Sequence, residues 1–522
     1  MSRLTGRLYD RRRVAREPKL PGVFMNRKVF VFAIDSIDPD LLLVLAQTGR
    51  MPALQSLLGE SVRAYTDNNP GISETTWVNF FTAVNPARHG RYFHSQIEPG
   101  SYRTKLFHAP DVKAPPYWTR LSAAGKRVIV VDVPKTCITK SLNGIQVVNW
   151  ASHDQEDTIR NQTWPSGLSK ELDRRFGPDP VGANDFGGNG PRDIGAYRDA
   201  TVANVARKTR LATSLMKETD WDHFLLAYDD GHHVGHYTWH LHDPGHPDHD
   251  PAVRERIGDP LEDVCVALDT ALQTILENLG PDCVFALYVS HGIGPNYHAT
   301  YILDALLRRL EGAKSPRSYP VNSLRTLWRS MPVSMHRFLT PLQNAARNLL
   351  LGSDRRKRKA FALPATDDVG LIRINLAGRE PYGLVQPGEE YDRFCDSLEE
   401  SLLALTNAET GEPVVNKVTR IAEGCHGPYL DQLPDLCVDW NRAGPIRTVQ
   451  GAGIGTLHMP QRNSRKGVHT PQGLFMVRTA SGREKQLPQP VSVLDIAPTL
   501  CAWSEVELED VEGRVNDGLN PF

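Results

Sequence analysis

Four short apolar runs constrain this chain more than anything else in it: Lys28 to Ile34 (KVFVFAI), Arg127 to Val131 (RVIVV), His223 to Ala227 (HFLLA) and Cys283 to Val289 (CVFALYV). Each is apolar at consecutive rather than alternate positions, and each gives way to polar or Gly/Pro-bearing sequence. Strands buried on both faces read this way, and they belong to a mostly parallel sheet with helices between the strands. Leu41 to Leu58, with leucine at helical spacing, and Asp259 to Leu279 are predicted helices. Leu371 to Asn375, Glu390 to Leu405 and Pro413 to Ile421 predict a smaller strand-and-helix unit before the sheet resumes near Leu474 to Val477. There is no internal repeat.

With 522 residues, 40% hydrophobic and 23% charged, the chain has the composition of a soluble globular protein with a large core. Its net charge of −1 hides an imbalance: Tyr301 to Ala360 carries thirteen Lys or Arg against three acidic residues. That stretch is predicted to be an amphipathic, basic helical insertion over 303–362, with Leu324, Trp328, Met335, Phe338 and Leu342 on its apolar side. It ends in Arg355-Arg-Lys-Arg-Lys359, suited to an anionic surface or to a lid over a site. Residues 1–26 read as a basic N-terminal arm, 27–302 as the first part of an α/β domain, and 363–522 as its remainder with the small α+β unit. Seven scattered cysteines with no C-x-x-C spacing exclude a disulfide framework and a cysteine zinc site. No window approaches the roughly 18 apolar residues of a membrane span, and a cytoplasmic location is expected. Nucleic-acid binding has no motif to support it.

Polar residues cluster where the apolar runs end, which is where open α/β sheets collect ligand-binding groups. Asp35 directly follows KVFVFAI and suits either a cation or a helix N-cap. Ser73-Glu-Thr-Thr-Trp-Val-Asn79 places hydroxyls at a helix start, where backbone N–H groups and the helix dipole favour an alkoxide or a phosphate oxygen. From Tyr228 to Asp250 come seven of the eighteen histidines. Two pairs there stand four apart, Asp229 with His233 and His232 with His236, so either pair reaches one ion from a helical turn, and imidazole is the commonest zinc side chain. Those from His240 onward are expected in a loop or around the site. Ser290-His291-Gly292 and Gly467-Val-His469-Thr-Pro-Gln-Gly473 place a histidine beside glycines that let the backbone approach a ligand.

In this order the segments resemble the alkaline phosphatase superfamily, most closely its type I phosphodiesterase/nucleotide pyrophosphatase branch, over about residues 27 to 520. Met51-Pro-Ala-Leu54, Ile374 to Gly383, Pro434-Asp-Leu436 and Leu494 to Leu500 are similar to further segments of that superfamily. The resemblance implies an alkaline-phosphatase-like three-layer sandwich and a metal-dependent hydrolase of phosphoric esters. Thr76 matches the nucleophile and a metal contact, with Thr75 and Ser73 ranked below it, and Asn79 matches a residue that steadies a phosphoryl oxygen. Asp35 and His291 match ligands of one metal site, His236 and His469 ligands of the other. A covalent phosphoryl intermediate on Thr76 is then expected.

Two departures qualify that pattern. Where the family reads Ser-Asp-His-Gly this chain has Val289-Ser290-His291-Gly292, and His232 stands where the family has aspartate. Two divalent ions with Asp35 as the single carboxylate would leave the site near +3, costly without an anionic substrate. Either Asp229 or Asp230, with His233 as a further candidate, restores charge at a two-metal site, or one ion sits in a three-histidine site of His232, His236 and His469. Zinc is expected, with manganese or iron as alternatives. Phosphoryl or sulfuryl transfer, and a non-catalytic binding protein with decayed metal sites, are the alternative functions.

Overall fold

The computed structural model describes residues 27–68, 71–152, 162–181, 190–312, 354–459 and 465–522. The expected basic arm and most of the expected insertion, including Leu324 to Leu342, lie outside the described residues. The four apolar runs form strands at the heart of one sheet: β1 (Val29–Ile34), β2 (Val128–Val131), β3 (His223–Tyr228) and β4 (Val284–Val289). β1 lies between β3 and β4 and is parallel to both, and β2 continues the parallel set beyond β3. All residues of these strands are buried and, His223 at the start of β3 apart, charged side chains lie beyond their ends.

Successive side chains of β1 feed two cores, as the period of a strand requires. Phe30, Phe32 and Ile34 pack with α1 (Pro39–Gln47), α2 (Pro52–Gly59) and three longer helices on one face. Val29, Val31 and Ala33 pack on the other face, with α3 (Thr76–Thr82) among their neighbours. The longer helices are α4 (Ile194–Glu218), α5 (Asp230–His242) and α6 (Pro260–Glu277), the last within the predicted span. Helix α7 (Val493–Trp503) packs beside α3. The result is the expected three-layer arrangement.

The predicted helix over 41–58 is two helices instead. Gly49 takes φ of +75°, a left-handed conformation that ends helices, and Pro52 opens the second one because it supplies no backbone N–H to continue the first.

The small unit has a four-stranded antiparallel sheet in the order Ala360–Leu363, Val369–Ile374, Leu436–Trp440, Val415–Arg420, with helix Glu389–Leu403 against it. Leu303–Leu310, placed by sequence in the insertion, packs its Leu306 and Leu307 into this unit's core. The basic run beside it is only partly a surface feature. Arg358 is buried and donates to Asp304 at 2.6 Å, and buried Arg355 donates to the Tyr102 carbonyl at 2.8 Å. Two of its five cations therefore serve packing rather than an external anion.

Candidate functional site

The parallel register brings three polar strand-end residues to one edge of the sheet. Ile34 is level with Tyr228 and with Val289, so Asp35, Asp229 and Ser290 emerge together. The Asp35 N–H donates to the Tyr228 carbonyl and the Ser290 N–H to the Ile34 carbonyl, extending the ladder by one residue. Helix α5 starts at the same edge and turns His232 and His236 to one side, four residues apart.

A third histidine arrives on a hairpin-like pair. Strand β5 (Gly292–Pro295) follows His291 and pairs antiparallel with β6 (Gly467–Thr470), with Ile293 opposite His469. β6 lies directly on α5: a Cβ at Gly467 would fall 2.4 Å from the Gly235 carbonyl oxygen. Glycine at 467 is the condition for bringing His469 to His236.

Donor atoms of His232, His236 and His469 all lie within 4.8 Å of one another. The partners of their Nδ1 atoms fix the tautomers. His236 Nδ1 is 2.7 Å from the Gly467 carbonyl oxygen, and His232 Nδ1 is 2.8 Å from Asp35 Oδ2. Both partners are acceptors, so both Nδ1 atoms carry hydrogen, and Nε2 is the ring nitrogen each histidine leaves for an ion. His236 Nε2 is buried with no hydrogen-bond partner among the described residues, while His232 Nε2 and His469 Nε2 face each other at 3.2 Å. His469 Nδ1 is 3.0 Å from Ser73 Oγ. Burial drives the His236 and His469 pKa values well below the ordinary histidine range, with neighbouring positive charge adding to the effect. Three histidines whose ring nitrogens converge, with Nδ1 of each held by a neighbour, could hold a divalent metal ion.

The Asp35 side of the site is arranged differently. Asp35 Oδ1 accepts from Trp77 Nε1 at 2.7 Å and from Ser290 Oγ at 2.8 Å, while His291 Nε2 stands 3.6 Å away. Burial acts to raise the Asp35 pKa, but the His232 charge and hydrogen bond, with His291 and Trp77, outweigh it and hold the carboxyl below the usual range. Burial lowers the His291 pKa to about 4, against a smaller raising effect of Asp35. Trp77, which no sequence argument singled out, thus occupies one carboxylate oxygen.

Asp229 is also engaged: Lys208 Nζ lies 3.2 Å from its Oδ1 and 3.5 Å from Asp132, all three buried, and His233 Nε2 stands 3.7 Å from Asp229 Oδ2. Asp230 accepts from Asn204 at 2.9 Å. Neither aspartate nor His233 joins the three converging histidines.

The hydroxyl candidates Ser73, Thr75 and Thr76 meet different surroundings. Every residue of α3 is buried, and the Thr76 hydroxyl has no hydrogen-bond partner among the described residues. Asn79 spends its amide on Asn68 at 2.7 Å and on His89 at 2.8 Å. Thr75 donates to the Ile72 carbonyl. Ser73, in the 3₁₀ turn before the helix, is the hydroxyl that meets the histidines. The helix and the turn before it border different parts of the site: Trp77 of α3 reaches Asp35, and Ser73 of the turn reaches His469.

A cavity of about 450 Å³ opens over the histidines and Asp35, walled by Glu74, His94, Phe107, Lys135, His233 and Arg465 among others. Lys135 holds a left-handed backbone at φ +61° and pairs with Glu74 at 3.3 Å. Such strain in a non-glycine residue concentrates at functional sites. Lys135 and Arg465 were invisible in the sequence because neither belongs to a spaced motif.

The architecture has solved counterparts. A phosphonoacetate hydrolase from Sinorhizobium meliloti 1021, solved with phosphonoacetate, superposes with a TM-score of 0.53 at 13% identity, covering 92% of this chain and 96% of that one. Its phosphonoformate complex gives 0.51 at 15% identity, with the same coverage. The chain has the alkaline-phosphatase-type fold. Murine ectonucleotide pyrophosphatase/phosphodiesterase 5 covers 93% of the chain at 11% identity with a TM-score of 0.47. No family model matches the chain, and no curated protein matches it. Among the described residues no helix is long and apolar enough to cross a membrane, and no two cysteines form a disulfide.

Proposed function

We propose that this chain is a metal-dependent hydrolase of phosphoric esters, acting most readily on diesters, with one divalent ion held by His232, His236 and His469 and with Ser73 as nucleophile. The observation that carries the reading is the convergence of His232, His236 and His469, with the Ser73 hydroxyl 3.0 Å from Nδ1 of His469. Zinc suits three neutral imidazoles with an open position, and manganese and iron are the alternatives to be tested against it. A bound dication there supplies Lewis acidity toward a phosphoryl oxygen and lowers the pKa of bound water.

The chain's own residues do the rest. Asp35 and the Gly467 carbonyl hold the tautomers of His232 and His236. Lys135 and Arg465 bring positive charge to the cavity wall, where it favours an anionic substrate. Ser73 Oγ attacks phosphorus, the bond to the leaving oxygen breaks, and water then cleaves the phosphoserine. Thr76, enclosed in α3, is set aside as nucleophile in favour of Ser73.

The test is hydrolysis of bis(para-nitrophenyl) phosphate by metal-loaded protein, with para-nitrophenyl phosphate and phosphonoacetate in the same screen. The phosphonate is included because the solved counterpart binds it. Diester turnover lost in Ser73→Ala supports the reading. Turnover that survives Ser73→Ala but not Thr76→Ala restores the sequence expectation, and metal binding with no turnover of any of the three esters and phosphonates favours a binding protein.

A further inference from the structure

Two strands of the small unit run out together beside the site. Their antiparallel register sets Val369 opposite Asp439, so Asp368, just before the first strand, and Arg442, just past the second, leave the sheet at the same end. Arg442 spends its two terminal nitrogens on two backbone carbonyls: Nη2 donates to that of Asp368 at 2.9 Å, and Nη1 donates to that of His469. The Asp368 carboxylate accepts the Ser73 N–H at 3.3 Å, and Ser73 Oγ lies 3.0 Å from His469 Nδ1.

These four contacts close a ring that runs from Ser73 to His469, to Arg442, to Asp368 and back to Ser73. Its members come from three separate parts of the chain: the turn before α3, strand β6 and the small unit. An arginine suits the closing position because its planar fork offers several donors in a fixed geometry, whereas a lysine ammonium is a point charge on a flexible stem. Ser73, His469 and Asp368 are buried, and buried backbone carbonyls are seldom left unpaired, so the guanidinium ties the His469 peptide to the segment that holds the Ser73 N–H. Among the described residues, those that wall the cavity do not include Arg442, so it acts on the chemistry through its neighbours.

We infer that Arg442 is a positioning residue: by bridging His469 to Asp368 it holds the Ser73 nucleophile in register with the metal-binding histidines. The inference rests on the assignment of Ser73 and of the three-histidine site above. It gives the small unit a part in the reaction, since a nucleophile displaced by about 1 Å can lose roughly a hundredfold in rate.

The experiment compares Arg442→Met, Arg442→Lys and the unmodified chain on bis(para-nitrophenyl) phosphate at saturating metal, with metal content and urea unfolding measured on each. Methionine keeps part of the stem and removes both donors. Its kcat is expected to fall about a hundredfold, with KM, metal content and unfolding midpoint unchanged. Lysine keeps a cation able to reach one of the two carbonyls, and its kcat is expected to lie between the two. An R442M kcat within about twofold of the unmodified chain, or a loss that merely tracks lost metal or lost folding in both variants, overturns the inference. Should R442M fail to fold, R442K alone decides: kcat lowered about tenfold or more at unchanged KM and metal content supports the role, and full activity overturns it. If the unmodified chain is inert or Ser73→Ala retains activity, the reading of the site falls and this inference with it; if both behave as proposed and R442M is unimpaired, this inference alone falls.

Discussion

The two halves of the site are built from similar residues but left in opposite states. On one side, His232, His236 and His469 have their Nδ1 atoms held by neighbours and their rings brought together. On the other, Asp35 has both oxygens engaged, by Trp77 and Ser290 at one and His232 at the other, with His291 beside it. The first half is a cluster of histidines that could hold an ion; the second is a hydrogen-bonded network that reaches the first through His232. Ser290 makes the difference, because its hydroxyl donates to Asp35 where a carboxylate would repel it and call for a cation.

The largest effect that can test this contrast is loss of the nucleophile. Ser73→Ala is expected to cut diester turnover on the order of a thousandfold or more while leaving metal content at its original value, as read by kinetics and elemental analysis side by side. His236→Ala removes a ligand and is expected to abolish both metal retention and turnover. The same measurements on Thr76→Ala are expected to show near-normal metal content.

Asp35→Asn probes the division of labour between the halves. If Asp35 orients His232, its loss weakens metal affinity about 10- to 100-fold without removing an ion at saturating metal, measured by competition with a chromogenic chelator. Outright loss of one ion would make Asp35 a direct ligand. Ser290→Asp sharpens the comparison from the other direction. A second carboxylate beside Asp35 is expected to create a second ion site, raising stoichiometry from one to two, and an unchanged stoichiometry would show that more than this one side chain separates the halves.

How much of this was legible from sequence depended on whether the information was local. The strands were readable because burial on both faces writes itself as consecutive apolar residues, as in Val29 to Ile34. His232 and His236 were readable because four-residue spacing on a helix implies one face. Gly49 and Pro52 carry the signal that splits Leu41 to Leu58 into two helices, against the continuous leucine spacing. Motif spacing ranks Thr76 above Ser73, whereas the contact of Ser73 with His469 is tertiary and leaves no local signal. Asp368 had no signal at all: it precedes a strand in another unit, and only tertiary contact brings it to Ser73. The basic run 355–359 misled because charge in sequence does not reveal that Arg355 and Arg358 turn inward.

The smallest expected effect lies outside the site and serves as its control. Burial lowers the pKa of His89 and of His223 to about 3, from an ordinary 6.5. For a depressed pKa the unfolded chain binds the proton first, so this stability is present above about 6.5 and is lost as pH falls toward 3, at roughly 1.4 kcal/mol per pH unit for each histidine. His223→Gln, which keeps a polar group near the Tyr117 hydroxyl that lies 2.8 Å from His223 Nε2, is expected to flatten the loss between pH 6 and 4 in urea unfolding. An unchanged slope would assign the acid lability elsewhere.

Metal content per chain, measured by elemental analysis on protein purified without chelators or a metal-binding tag, tests the central claim most directly. The account predicts one divalent ion per chain, retained in Ser73→Ala and lost in His236→Ala. Two ions in the unmodified chain, or one that persists when His236 is removed, would contradict it.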